Sequence, residues 1–176
     1  MTVFGTEIRY GTIAQAFHWV TAALVLAAWL VAGGGRSPTI VLHETIGLAI
    51  FVLVCLRLLW RAFDRQPDQP PMPKAMAWSS VLVHWLLFGL LLAVPFTAII
   101  GTQLEGHALT IYGLGVVGPF LTASSRYLGH QLLELHQLIG NLIIWLAGLH
   151  AAAALYHHYF MKDGVLKAML PGGRAA

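Results

Sequence analysis

Four histidines stand where an ionisable side chain is costly. His18, His43, His136 and His150 each interrupt an apolar run, and such a residue at hydrocarbon depth is a functional candidate by default. His136 and His150 share one run, HQLIGNLIIWLAGLHAAAALYHHY, and lie fourteen residues apart. Fourteen helical residues rise about 21 Å and complete nearly four turns. Both imidazoles therefore leave one face, near opposite ends of a span. Zinc sites usually group Cys, His or carboxylates closely, and copper favours Cys or Met beside the His. Single histidines on separate apolar helices suit instead the two axial positions of a haem iron. Bis-imidazole ligation fills both positions and favours electron transfer over oxygen activation.

The elements that must position these histidines are membrane spans. The chain has 176 residues, 58% hydrophobic and 10% charged, with a mean hydropathy of +0.74. A soluble domain carries about 25% charged residues, so the length suits a single all-α domain over 1–176, a transmembrane four-helix bundle. The spans are expected at roughly 13–32, 40–60, 78–101 and 131–160. Gly33-Gly34-Gly35 and Pro38 close the first. Pro67, Pro70, Pro71 and Pro73 stiffen the linker between the second and third. Pro95 interrupts the third, where Thr97 or a neighbouring helix can satisfy the carbonyl it frees. The Gly-rich stretch from Gln103 to Gly129 is too short to cross and reads as a cap over one end, with room for a short surface helix. The N-terminus lacks a clear cleavage site, so the first span is expected to stay in the mature protein. The lone Cys55 lies in an apolar run as a small buried residue. With no C-x-x-C-H motif, covalent c-type haem attachment is excluded.

Charge gives the spans a direction. Arg9, Arg57, Arg61, Arg65, Lys74, Lys162, Lys167 and Arg174 fall on one side, and Arg36 and Arg126 on the other. This bias predicts a bacterial inner-membrane protein with both termini cytoplasmic and the cap periplasmic. The net charge of +3 is thus membrane topology, with no nucleic-acid face. Depth then pairs the histidines: His18 with His150 on the inner side, and His43 with His136 on the outer. Each pair can hold one haem b in the bundle core, the two irons roughly 20 Å apart by helix rise. Gly47 and Gly140, one turn from His43 and His136, leave room for a porphyrin, as do the alanines around His150. His84 lies at the inner depth on the third span, and competes with His18 for His150 or lines the inner haem or a quinone pocket. His157 continues the stripe of His150 to the inner interface, where it can meet a haem propionate or exchange protons with a quinone. Arg126 and Arg36 can steer an anion or bind outer propionates. His107 and His130 read as surface or propionate-contacting residues, His158 as solvated, Glu44 and Glu134 as interfacial acids, and the tryptophans as interface anchors.

The runs GLHAAAALYHHYFMKDGVLKAMLP, FHW at His18, LHETIG at His43 and LHQLIGN at His136 resemble the bacterial cytochrome b561 family across nearly the whole chain. The resemblance implies a four-helix inner-membrane protein with two b haems ligated by His18, His43, His136 and His150. It also implies a leading function, since the family contains a superoxide oxidase that passes electrons from periplasmic superoxide to ubiquinone. The alternative is a non-enzymatic cytochrome b subunit shuttling electrons between quinone and a soluble redox partner protein.

Overall fold

The computed structural model describes residues 9–32, 38–64, 72–112, 115–119 and 125–171. Arg36, Arg65, Arg174, the first glycine cluster, and Pro67, Pro70 and Pro71 lie outside the described residues, as do residues 113–114 and 120–124 of the cap. Four long helices make the body: α1 (Thr12–Leu30), α2 (Pro38–Phe63), α3 (Lys74–Leu104) and α4 (Arg126–Tyr156). All four are long and apolar enough to cross a membrane. The bilayer offers a backbone no hydrogen-bonding partner, so an apolar chain there forms helices that satisfy their own amides.

Prolines set two of the boundaries. Pro38 does not close the first span but opens α2, at the first helical position, where a missing N–H costs nothing. Pro73 caps the start of α3 in the same spirit, with extended backbone. Pro95 lies within α3, which continues through it. The Thr97 hydroxyl donates to the carbonyls of Ala93 (2.9 Å) and Val94 (2.8 Å). It therefore does not reach the carbonyl of Leu91, which is the one a proline at 95 leaves without its usual donor.

The cap differs from expectation. Its described part contains no surface helix but an antiparallel hairpin, β1 (Leu109–Ile111) with β2 (Gly115–Val117), Leu109 opposite Val117. The hairpin is tied to the start of α2. The Thr110 amide donates to Glu44 Oε2 (2.9 Å) and the Tyr112 amide to Thr45 Oγ1 (3.0 Å). Glu44 thus holds the cap and is more than an interfacial acid.

At the opposite end, α4 widens into a π-helical turn (His157–Met161) and the chain reverses at Lys162 and Gly164, both at positive φ. A short helix, α5 (Val165–Met169), then returns beneath α1. The Gln15 side chain and the Tyr10 amide donate to the Ala168 carbonyl, and the Trp19 indole to Met169 O (2.7 Å). Trp19 is therefore a tertiary tie as well as an interfacial aromatic.

The helices do not pack evenly. α4 lies closest to α3, and two glycines permit it. A Cβ on Gly129 would stand 2.9 Å from the Gly101 carbonyl oxygen and 2.8 Å from Glu105 Cγ. Against α1, by contrast, α4 makes few contacts, and among the described residues it packs little against α2. A single dry layer joins all four: Ala28 of α1, Ile50 and Val54 of α2, Leu91 of α3 and Ile143 of α4. Ile143 lies two turns from His136 and two from His150, and Ile50 two turns from His43. The apolar core is thus a plug between two levels of histidine.

Candidate functional site

Each histidine level is built across the gap between α4 and the α1–α2 pair. At the hairpin end, His43 of α2 faces His136 of α4, with ring centres 5.9 Å apart. At the terminal end, His18 of α1 faces His150 of α4 at 6.4 Å. A metal–imidazole bond is about 2 Å long, so two imidazoles on opposite sides of one metal have centres roughly 6 Å apart. Both pairs have that separation.

The ring tautomers follow from the backbone. His43 Nδ1 lies 2.8 Å from the Ala28 carbonyl on α1, and His136 Nδ1 2.8 Å from the Val94 carbonyl on α3. A carbonyl only accepts, so both Nδ1 atoms carry the proton and both Nε2 lone pairs are free to bind a metal. A hydrogen bond behind a ligating imidazole also fixes its orientation and raises its basicity. The pair at the hairpin end is therefore held in one tautomer and orientation by neighbouring helices.

The other level differs. His18 Nδ1 meets the guanidinium of Arg57 at 3.4 Å. Guanidinium only donates, so here Nδ1 accepts and the proton sits on Nε2. His84 is a third imidazole at this level, 5.2 Å from His150 and hydrogen-bonded to the Ser80 backbone. That separation is shorter than one metal between two rings requires, and His84 stands beside His150 on the closely packed α3–α4 side.

Among the described residues no group of three or more His, Cys, Asp or Glu is arranged to hold a bare ion. A single metal held by two imidazoles at each level would take its remaining ligands from a bound group. Small residues leave open space beside the hairpin-end pair. Cβ atoms added at Gly47 and Gly140 would meet nothing within 4 Å, and both glycines lie one turn from a histidine of the hairpin-end pair.

A family model described as prokaryotic cytochrome b561 matches residues 9–172. The chain belongs to the prokaryotic cytochrome b561 family. It is similar to the "Probable superoxide oxidase CybB" of Yersinia pestis, at 31% identity over 94% of this chain and 98% of the relative. It is also similar to two proteins of Escherichia coli K12. "Cytochrome b561 homolog 2" is 28% identical over 97% of this chain and 95% of the relative. "Cytochrome b561 homolog 1" is 30% identical over 88% and 92%. This cytochrome is accordingly a membrane electron-transfer protein, and its family cofactor is haem b. The donor set fits that group: paired imidazoles, no competing carboxylate cluster among the described residues, and open space beside the hairpin-end pair.

The remaining candidates separate. His157 lies at the start of the π-helical turn and is half-buried, with Nδ1 hydrogen-bonded to Asp163 Oδ2. Asp163 Oδ1 in turn accepts from the Val165 amide at 3.1 Å, so the reversal of the chain orients the acid and the acid orients the ring. Sequence reasoning missed Asp163, although its place in the reversal after HHY was the available signal. Arg126 is exposed at the first position of α4, after the Ser125 N-cap. A cation at a helix N-terminus opposes the helix dipole, so Arg126 does not serve the helix. His107 and His130 both approach Glu105, at 3.4 Å and 3.7 Å, and His130 also approaches Glu134. These surface groups form a polar network at the hairpin end. Arg57 was missed too: counted from the sequence only as a topological charge, it reaches the His18 ring.

Proposed function

We propose that this cytochrome is a di-haem superoxide:ubiquinone oxidoreductase of the inner membrane, with both termini cytoplasmic. The observation that carries the proposal is the two imidazole pairs, at opposite ends of one bundle, each spaced for a single metal. A haem b at each pair would supply one-electron iron chemistry. His43 and His136 would hold the outer one and His18 and His150 the inner one.

The chain's own residues do the rest. The Ala28 and Val94 carbonyls keep His43 and His136 in the ligating tautomer. The layer of Ala28, Ile50, Val54, Leu91 and Ile143 excludes water between the two levels. Arg126, exposed at the periplasmic end, raises the local concentration of an anionic donor. His157, with Nδ1 held by Asp163, presents Nε2 at the cytoplasmic end, where it can hand a proton to quinone oxygen. His84, at the level of His150, lines the inner haem site or a quinone pocket beside it. Overall, two superoxide ions and one ubiquinone, with two protons, give two molecules of dioxygen and one ubiquinol. The similarity to a relative named as a probable superoxide oxidase supports this donor.

The test is a haem count followed by an assay. Purified protein should hold two haems, and His136→Ala and His150→Ala should each lose mainly one. Unchanged stoichiometry in both variants would refute the ligand assignment. With quinone present, the protein should accelerate superoxide consumption and its haem bands should turn reduced. Failure of both would leave a cytochrome that serves a soluble redox partner.

A further inference from the structure

A helix as short as α5 does not hold itself. It has five residues, fewer than an isolated helix needs to be stable in water. The turn that leads into it is unfavourable as well, because Lys162 takes a left-handed φ of 54° that a β-carbon opposes. What holds α5 is α1. The buried Gln15 side chain donates to the Ala168 carbonyl at 3.1 Å, beside the Tyr10 amide at 3.2 Å. The Trp19 indole donates to the Met169 carbonyl at 2.7 Å. Gln15 and Trp19 are one turn apart, so they leave the same face of α1. The carbonyls they grip are among the last of α5, which have no acceptor role within the helix.

The first residue of α5 grips something else. The Val165 amide donates to Asp163 Oδ1 at 3.1 Å, and Asp163 Oδ2 accepts from His157 Nδ1. A continuous line of contacts thus runs from Gln15 and Trp19 through α5 to Asp163 and the His157 ring. A carboxylate with one oxygen fixed by backbone gives the imidazole a direction as well as a hydrogen bond. Direction matters for proton transfer, since a displacement of about 1 Å at a reacting group can cost a hundredfold in rate.

We propose that Gln15 and Trp19 are positioning residues for His157: they fasten α5 to α1, and α5 holds Asp163 so that the ring presents Nε2 in one direction. The proposal rests on the reading of His157 as proton donor to quinone. In that step the imidazolium gives its Nε2 proton to an oxygen of the quinone as it is reduced. The ring keeps its Nδ1 proton on the Asp163 side and takes a new one at Nε2 from cytoplasmic water.

The test uses full-length protein loaded with haem: wild type, Gln15→Leu, Trp19→Phe, both together, Asp163→Asn, His157→Ala, and the Gln15→Leu/Trp19→Phe pair combined with Asp163→Asn. Leucine and phenylalanine fill most of the space and remove the donors. Stopped-flow spectra follow reoxidation of the pre-reduced protein by a short-chain ubiquinone. The pair should slow reoxidation about tenfold, through kcat with KM for quinone unchanged, and keep the wild-type haem content. Added to Asp163→Asn, the pair should slow it no further, because both act through one bond, whereas independent effects multiply. Nitrogen-15 spectra of histidine-labelled, reduced protein give a readout apart from turnover. Above the pH range in which imidazole is charged, the His157 signal, identified by its loss in His157→Ala, should show Nδ1 protonated in wild type and two exchanging tautomers in the pair. Wild-type reoxidation in His157→Ala would defeat the proton-donor reading, and the positioning role with it. Slow reoxidation in His157→Ala, with the pair either at the wild-type rate or multiplying the effect of Asp163→Asn, would overturn the positioning role alone. If the pair loses its haem, Gln15→Leu carries the same two measurements, and an unchanged His157 tautomer with unchanged reoxidation there would overturn the proposal.

Discussion

At the scale of single residues, what distinguishes the histidines is the partner of the second ring nitrogen. Carbonyls of neighbouring helices hold His43 and His136, an acid holds His157, and an arginine meets His18. This difference makes His157 testable apart from the haem ligands. Asp163→Asn should slow reoxidation of the haems by quinone about tenfold, and His157→Ala about a hundredfold, within the range for loss of a positioned acid–base group. Haem content and reduction by the donor should be unchanged in both. Stopped-flow spectra separate the two half-reactions, and equal rates in wild type and His157→Ala would remove this residue from quinone chemistry.

At the scale of elements, two contacts decide where α4 and the cap lie. Gly101 and Gly129 let α4 touch α3, and that contact leaves α4 standing off from α1 and α2, where the histidine pairs face each other. Gly129→Ala should destabilise the bundle by about 1–3 kcal/mol, the usual cost of overpacking. Thermal melting in detergent, read on the haem absorbance, measures it. A methyl group there meets the backbone at the end of α3, at the Gly101 carbonyl and the Glu105 amide, so the helices must part to admit it. The hairpin depends on Glu44 and Thr45. Removing the Glu44 acceptor by Glu44→Ala should raise amide exchange at Thr110 about fivefold or more, as expected for roughly 1 kcal/mol of lost hydrogen bonding. Exchange mass spectrometry of the 107–112 segment reads the effect. Since Glu44 adjoins His43, a looser hairpin should also expose the outer pair to solvent.

At the scale of the whole molecule, charge and hydropathy act through the bilayer. The eight-to-two distribution of Lys and Arg predicts that a fluorescent protein fused after residue 176 glows and that alkaline phosphatase fused there is inactive. The opposite result would invert the bundle. If superoxide is steered by Arg126, its consumption should slow with ionic strength, and Arg126→Glu should both reduce the rate at low salt and flatten that dependence. Large apolar side chains such as Leu138, Trp145, Leu149 and Phe160 are exposed on α4 and the turn after it, which suits a surface that faces lipid.

The class of the protein and the levels of its histidines were legible in the sequence because they depend on local regularities. Hydrophobic runs of span length, the helical rise and the charge bias are all one-dimensional properties, and together they place four histidines at two depths. Tertiary structure alone decided which acceptor or donor stands behind each ring, because those partners lie 15 to 42 residues away, as for Ala28 with His43, Arg57 with His18 and Val94 with His136. It also decided that the cap is a hairpin, since strand pairing and the Glu44 tie are contacts between distant segments. His157 was legible as the continuation of the α4 stripe, but its partner needed the fold. There the helix widens to a π turn and the chain doubles back, bringing Asp163 to the ring, and no fixed periodicity extrapolates through such a change.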